Sequence, residues 1–193
     1  MQIGGARVSG AVRESVWSGA SHALGGWDHL LFLWGLVLVT RTWGQRLVAA
    51  TGFTLGHGMA LGWCLTGAWL PRAVVLELWI ALSIVCVALE AARSEPGAMA
   101  QRVGAVSAAF GLVHGLGFVV SLTNSSSADP WTLLWFNIGV EMGQLVVLGA
   151  MFFWAPWLGK WRRLGALVLG GVAVYLTALR AIEWSTMLSI PAL

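Results

Sequence analysis

The stretch His22-Ala-Leu-Gly-Gly-Trp-Asp28-His29 runs directly into Leu-Leu-Phe-Leu-Trp-Gly-Leu-Val-Leu-Val at 30–39. Two imidazoles and a carboxylate thus stand at the head of an otherwise apolar segment. From Val16 to Thr40 the only charged residue is Asp28. About 25 residues at 1.5 Å each are enough to cross a hydrocarbon core of roughly 30 Å. Gly25-Gly26 interrupts the segment, because adjacent glycines weaken a helix. The expectation is either one kinked helix or a short re-entrant helix followed by a shorter span. Broken helices are tolerated at membrane depth where they line a cavity or lie buried in protein.

The rest of the chain has the same character. Of 193 residues, 58% are hydrophobic and only 10% charged, against about 25% charged in a soluble domain. The chain reads as an all-α polytopic membrane bundle whose solvent and first partner is the lipid bilayer. Residues 1–15 are mixed and polar, an exposed lead-in, and 16–193 form a single transmembrane domain. No apolar core of a signal peptide occurs in 1–13. The chain is therefore expected to insert without a cleaved signal, or to lack an upstream part. Further spans are expected at about 47–70, 73–92, 103–123, 131–158 and 164–188, six in all. Pro71 punctuates the link between the second and third, and Asn-Ser-Ser-Ser-Ala-Asp-Pro at 124–130 is a loop. Cys64 and Cys86 lie in apolar runs without metal-ligand spacing and read as small buried hydrophobes. Many of the 13 tryptophans lie near span ends, as interfacial belts require.

The formal charge of +3 reports topology here, not nucleic-acid binding. Arg41 and Arg46, Arg93 and Arg102, and Lys160, Arg162 and Arg163 occupy alternate connections. The other connections hold Arg72 alone, joined by Arg7 and Arg13 if the lead-in counts. The positive-inside rule places the first set in the cytoplasm and both termini outside.

This topology fixes depth. His29, His57 and His114 each lie eleven or twelve residues from the nearest cytoplasmic arginine, or roughly 16–18 Å. Glu141, about ten residues below the outer end of its span, falls near 15 Å. Four costly residues from four helices therefore share a layer near the midplane, with Asp28 adjoining His29. Glu77 sits slightly higher. His22 sits higher still, unless the Gly25-Gly26 break folds it back. Asn137, Glu141 and Gln144 share one helix face at i, i+4, i+7, which must point into the bundle. Gly52, Gly56 and Ala60, with Gly111 and Gly115, allow close helix approach. That approach would draw His57 and His114 together. Arg180 with Glu183 and Glu90 with Arg93 read as ion pairs, and Asp129-Pro130 as a helix start.

A lone His in a membrane helix is ordinarily an interhelical hydrogen-bond donor. Several converging with carboxylates favour a transition-metal site over a metal-free proton or polar network. Imidazole with carboxylate suits Zn, Ni, Co, Fe or Cu. The candidate ligands are His22, Asp28, His29, His57, His114 and Glu141.

At these residues the sequence resembles the HupE/UreJ family of membrane proteins. His22-x5-Asp28-His29 followed by Leu-Leu-Phe-Leu is similar to its first motif. Phe53-Thr-Leu-Gly-His57, Glu77-Leu-Trp-Ile-Ala-Leu-Ser83, Phe110-Gly-Leu-Val-His114-Gly-Leu-Gly-Phe118 and Phe136-Asn-Ile-Gly-Val-Glu141-Met-Gly-Gln144 are similar to the later motifs of its HupE/UreJ-like branch. The fourth-span motif has one His where the family's other branch has two. The resemblance implies an accessory protein of nickel enzymes, with nickel or cobalt permeation as its activity and a bacterial cytoplasmic (inner) membrane as its location. It also implies that the six residues named above handle the metal.

Three functions compete. The first is nickel or cobalt transport or delivery, with ligands at the midplane where transporters put their sites. The second is an intramembrane metal-dependent hydrolase open to the outer face. There a metal would lower the pKa of bound water, with Asp28, Glu77 or Glu141 as general base. The third is a metal-stabilised scaffold, packed with other membrane subunits or in a homo-oligomer.

Overall fold

The computed structural model describes residues 3–66, 69–93, 98–122 and 129–189. These form seven helices, and among the described residues there is no strand: α1 Ile3–Gly25, α2 Trp27–Val39, α3 Trp43–Leu65, α4 Ala73–Ala92, α5 Ala98–Gln101, α6 Val103–Leu122 and α7 Pro130–Ser189. The all-α expectation holds. Most of the expected loop 124–130 and the Cys64 side chain lie outside the described residues.

The helix starts follow local chemistry. Thr42 and Gln45 form a capping box: Gln45 N–H donates to Thr42 Oγ1 at 3.2 Å, and Thr42 N–H to Gln45 Oε1 at 3.3 Å. Two orphan donors are thereby satisfied, so α3 begins at Trp43, a turn earlier than its apolar run suggests. Asp129 caps α7 by accepting from Trp131 N–H at 2.9 Å and from the Thr132 hydroxyl. The Thr132 hydroxyl, then the Trp131 N–H, hold its carboxyl below the usual carboxylate range.

Gly26 breaks the first segment, and the path bends by 70° between α1 and α2. α1 runs alongside the first half of α7, with Gly139 against Val16 and Gly143 against Ala20. α2 packs on α4 and on the second half of α7. The lead-in expected at 1–15 is helical from Ile3 onward, continuous with α1.

The fifth and sixth expected spans differ most from the reading. Residues 159–163 are helical rather than a loop, and α7 is helical throughout Pro130–Ser189. A straight helix would separate Leu148 from Leu169 by roughly 30 Å, yet both belong to one buried cluster with Phe32, Leu36 and Val87. The axis therefore turns back between the two membrane-length stretches Pro130–Met151 and Trp161–Met187. Pro156 and Gly159 lie in that interval, and such residues are the usual cause of sharp kinks.

Among the described residues three stretches are long and apolar enough to cross a membrane, those two and Ala73–Ala92, or four if the bent α1–α2 pair counts as one span. α3 is 23 residues long, but Gln45, Arg46, Thr51, Thr54, His57 and its glycines dilute its apolarity. The basic connections gather at one end of the bundle. Arg162 donates to the Arg93 carbonyl at 2.9 Å, and Gln45 and Arg102 line one surface pocket.

Two seams of small residues set the packing. On α3 and α6, a Cβ at Gly56 would overlap the Ala108 carbonyl, and one at Gly111 the Phe53 carbonyl. On α1 and α7, one at Gly19 would overlap the Phe136 carbonyl, and one at Gly139 the Val16 carbonyl. Backbones thus touch where side chains would ordinarily separate them. One expectation about packing fails: Cys86 is exposed on the outer surface. It faces outward because α4 turns Ile84, Val87, Ala88 and Ala91 inward. Gly56→Ala and Gly111→Ala should each destabilise the fold by about 1–3 kcal/mol through overpacking. Unfolding in detergent micelles, with Gly62→Ala at an open position as control, measures this.

Candidate metal centre

Three helices bring three histidines together. His22 comes from the last turn of α1, His29 from the first turn of α2, and His57 from the middle of α3. The 70° break folds His22 back, so that its ring centroid lies 4.7 Å from that of His29 and 6.0 Å from that of His57. Each ring offers one nitrogen such that all three nitrogens lie within 4.8 Å of one another. His57 is wholly buried, His29 nearly so. The Nε2 atoms of all three are buried without a hydrogen-bond partner.

The tautomer of His57 follows from its neighbour. Asn137 Nδ2 donates to the Leu133 carbonyl at 3.0 Å, so its Oδ1 is left to accept. That oxygen sits 3.2 Å from His57 Nδ1, which must therefore carry the proton. The Nε2 lone pair is then free for a cation. This is the arrangement in which an outer partner orients a ligating imidazole.

The other expected ligands fall outside that group of three. His114 is buried and its ring is 5.3 Å from that of His29, but it is outside the group of three. Its Nε2 is 3.1 Å from Ser83 Oγ. Glu141 accepts from the Thr51 hydroxyl at 3.0 Å and lines a groove of about 680 Å³ between α3 and the first half of α7. Asp28 is half-buried and lies within electrostatic range of Arg180. Glu77 is 3.0 Å from Arg180 Nη1, which also holds Glu183 at 3.0 Å. The Arg180–Glu183 and Glu90–Arg93 pairs follow the sequence reading; Glu77 as a third member of the first was not foreseen. Among the described residues, no carboxylate belongs to the histidine group.

Reading the sequence also missed the aromatic cage. Phe118 lies 4.2 Å from His22 and stacks on Phe136 at 4.7 Å. Phe53 lies 5.1 Å from His114, and Phe32 lies 5.2 Å from it. The signal was available. Phe32, Phe53, Phe110 and Phe118 each stand three or four residues from a histidine on the same helix, and hence on its face.

A bundle of membrane-length apolar helices around a buried three-histidine centre defines an integral membrane protein with a site that could hold a transition-metal ion. The family model for HupE / UreJ proteins matches residues 3–187, and the chain belongs to that family. No curated protein and no solved structure matches it.

Gly26 lies directly under the site. A Cβ there would come within 2.8 Å of His29 Nδ1, whereas one at Gly25 meets nothing within 4 Å. Gly26→Ala should therefore displace the His29 ring and weaken binding of a divalent probe ion, while Gly25→Ala leaves it unchanged. Calorimetric titration of the purified protein with Ni²⁺ checks this.

Proposed function

We propose that the protein takes a divalent transition-metal ion, nickel or cobalt, as cargo on His22, His29 and His57 and passes it across a bacterial cytoplasmic membrane. The observation that carries this reading is the trio of buried Nε2 atoms without partners, one of them fixed as a lone-pair donor through Asn137. Buried polar atoms ordinarily find hydrogen bonds, so each exception asks for a ligand. Nitrogen donors without thiolate suit Ni, Co or Zn, and family membership supports the first two. Six spans with both termini outside make the topology of this proposal, supported by the gathering of the basic connections at one end.

The hydrophobic surroundings fit an occluded stage of transport. His29 neighbours Phe53 of a large apolar cluster that also includes Phe32, Ile84 and Leu148. His22 and His57 neighbour Phe136 of a small one with Ala23, Leu61, Val119, Leu133 and Val140. The hydrolase alternative needs a general base beside the metal; of its candidates Glu77 is engaged by Arg180, Glu141 accepts from Thr51 and Asp28 lies in the field of Arg180, and among the described residues no carboxylate belongs to the histidine group.

His29→Ala and His57→Ala should each reduce uptake of labelled nickel into sealed vesicles by about tenfold or more, and Asn137→Leu by a similar factor through loss of the outer partner. Uptake equal to wild type in both histidine variants would overturn the reading.

A further inference from the structure

α1 carries a polar file along its length. Glu14, Ser18 and His22 follow one another at intervals of four, and residues so spaced are neighbours one turn apart. Glu14 stands about 12 Å along the axis from His22. Glu14 and Ser18 are exposed and His22 is half-buried.

The file borders a cavity of about 290 Å³ between α1 and the first half of α7. Its walls divide by chemistry: Glu14, Ser18 and Thr132 are polar, Phe118 and Phe136 aromatic. Among the described residues Glu14 is the one charged group on this cavity, and it belongs to no ion pair. Phe118 and Phe136 stack at 4.7 Å and lie almost parallel. The same two rings lie 4.2 and 5.6 Å from His22, and 6.0 and 6.2 Å from His57. Neither histidine lines the cavity. The stacked pair is therefore what the cavity and two of the three imidazoles have in common.

Each wall has a consequence for a cation. A carboxylate at a cleft raises the local concentration of counter-ions and steers their approach. Two stacked phenyl rings offer a hydrated ion no oxygen in exchange for its water, so they stop it while they remain together.

Resting on the transport reading above, we infer that this cavity is the entry cleft for the hydrated dication, with Glu14 as its first contact and the Phe118–Phe136 pair as a gate over the histidines, closed in this structure. Neither part is a ligand of the held ion. Glu14 acts on arrival. The aromatic pair sets a barrier, which slows loading and release alike and leaves the equilibrium affinity as it is.

The test uses the full-length protein in vesicles, with Ni²⁺ alone as the probe. Glu14→Gln should raise the nickel concentration for half-maximal uptake by about fivefold at low ionic strength, the pull of one unit charge on a dication across roughly 8 Å of water. The maximal rate should stay that of wild type, and Glu14→Asp should restore the lower value. Salt at about 1 M, where the screening length is about 3 Å, should erase the difference. Phe118→Ala should speed loading and release by a common factor of about two to ten, the worth of one aromatic pair, at unchanged equilibrium affinity. With Cys64→Ser and Cys86→Ser as background, Ser18→Cys should react with a charged thiol reagent present on both sides of the membrane. Val174→Cys, exposed near the middle of Trp161–Met187, should not. An unreactive Ser18→Cys, or wild-type half-saturation in Glu14→Gln, would overturn the cleft and leave the transport reading standing. Lowered affinity in Phe118→Ala with an unchanged rate of loading would make the pair a support for His22 and overturn the gate. Absence of uptake by wild type would remove the transport reading, and the entry cleft with it.

Discussion

A polar atom in hydrocarbon has no water to turn to. The Nε2 atoms of His22, His29 and His57 and the Nδ1 of His114 meet that condition without a partner. Each such atom costs about 1–3 kcal/mol, so the four together approach the 5–15 kcal/mol by which a typical fold is stable. The packing that tolerates them must be firm. It is supplied by backbones in contact: α3 on α6 through Gly56 and Gly111, and α1 on α7 through Gly19 and Gly139. These seams leave no room for the helices to shift and give the rings other partners. Asn137 and Ser83 add a second constraint, by deciding which nitrogen of His57 and of His114 is bare.

Much of this was legible in the sequence. Apolar length marked α4 to the residue and α6 almost so, because a membrane span must be long and uncharged wherever it occurs. The depth argument put His29, His57, His114 and Glu141 in one layer and left His22 higher unless the Gly25-Gly26 break folded it back; the structure groups His29 and His57 with His22 through that fold-back. Close approach of α3 and α6 followed from glycines four apart. The early start of α3 was written in Thr42-Trp-Gly-Gln45, a capping signature overshadowed by hydropathy.

Other features were not legible, for identifiable reasons. Depth cannot give rotation about a helix axis. Glu141, placed by residue count at the height of the histidines, hydrogen-bonds Thr51 and lines a lateral groove, and His114 pairs with Ser83. The bond of Arg180 with Glu77 joins residues far apart in the chain, and a local i, i+3 partner, Glu183, already accounted for the arginine. Cys86 was read as buried because its neighbours are apolar, but in a bilayer an apolar position is as well placed on the outside as on the inside. The unbroken helical backbone through 159–163 has a similar origin. A basic run marks the membrane surface, not the end of helical hydrogen bonding.

The separation of carboxylates from imidazoles bears on what the site is for. Glu77 and Glu183 are bound to Arg180, with Asp28 in its field, and Glu141 is bound to Thr51. The trio that remains is made of neutral donors. A dication held there would be coordinated by imidazoles with, among the described residues, no carboxylate in the group, in surroundings where a nearby carboxylate would count for several kcal/mol. A resident structural ion is held best with its charge compensated. A passing ion has the opposite requirement, because binding must be favourable enough to enter and weak enough to leave. Under the transport proposal, acidic groups set to one side and imidazole nitrogens at the centre would answer that requirement, and the phenylalanines packed on the rings would exclude water from a held ion.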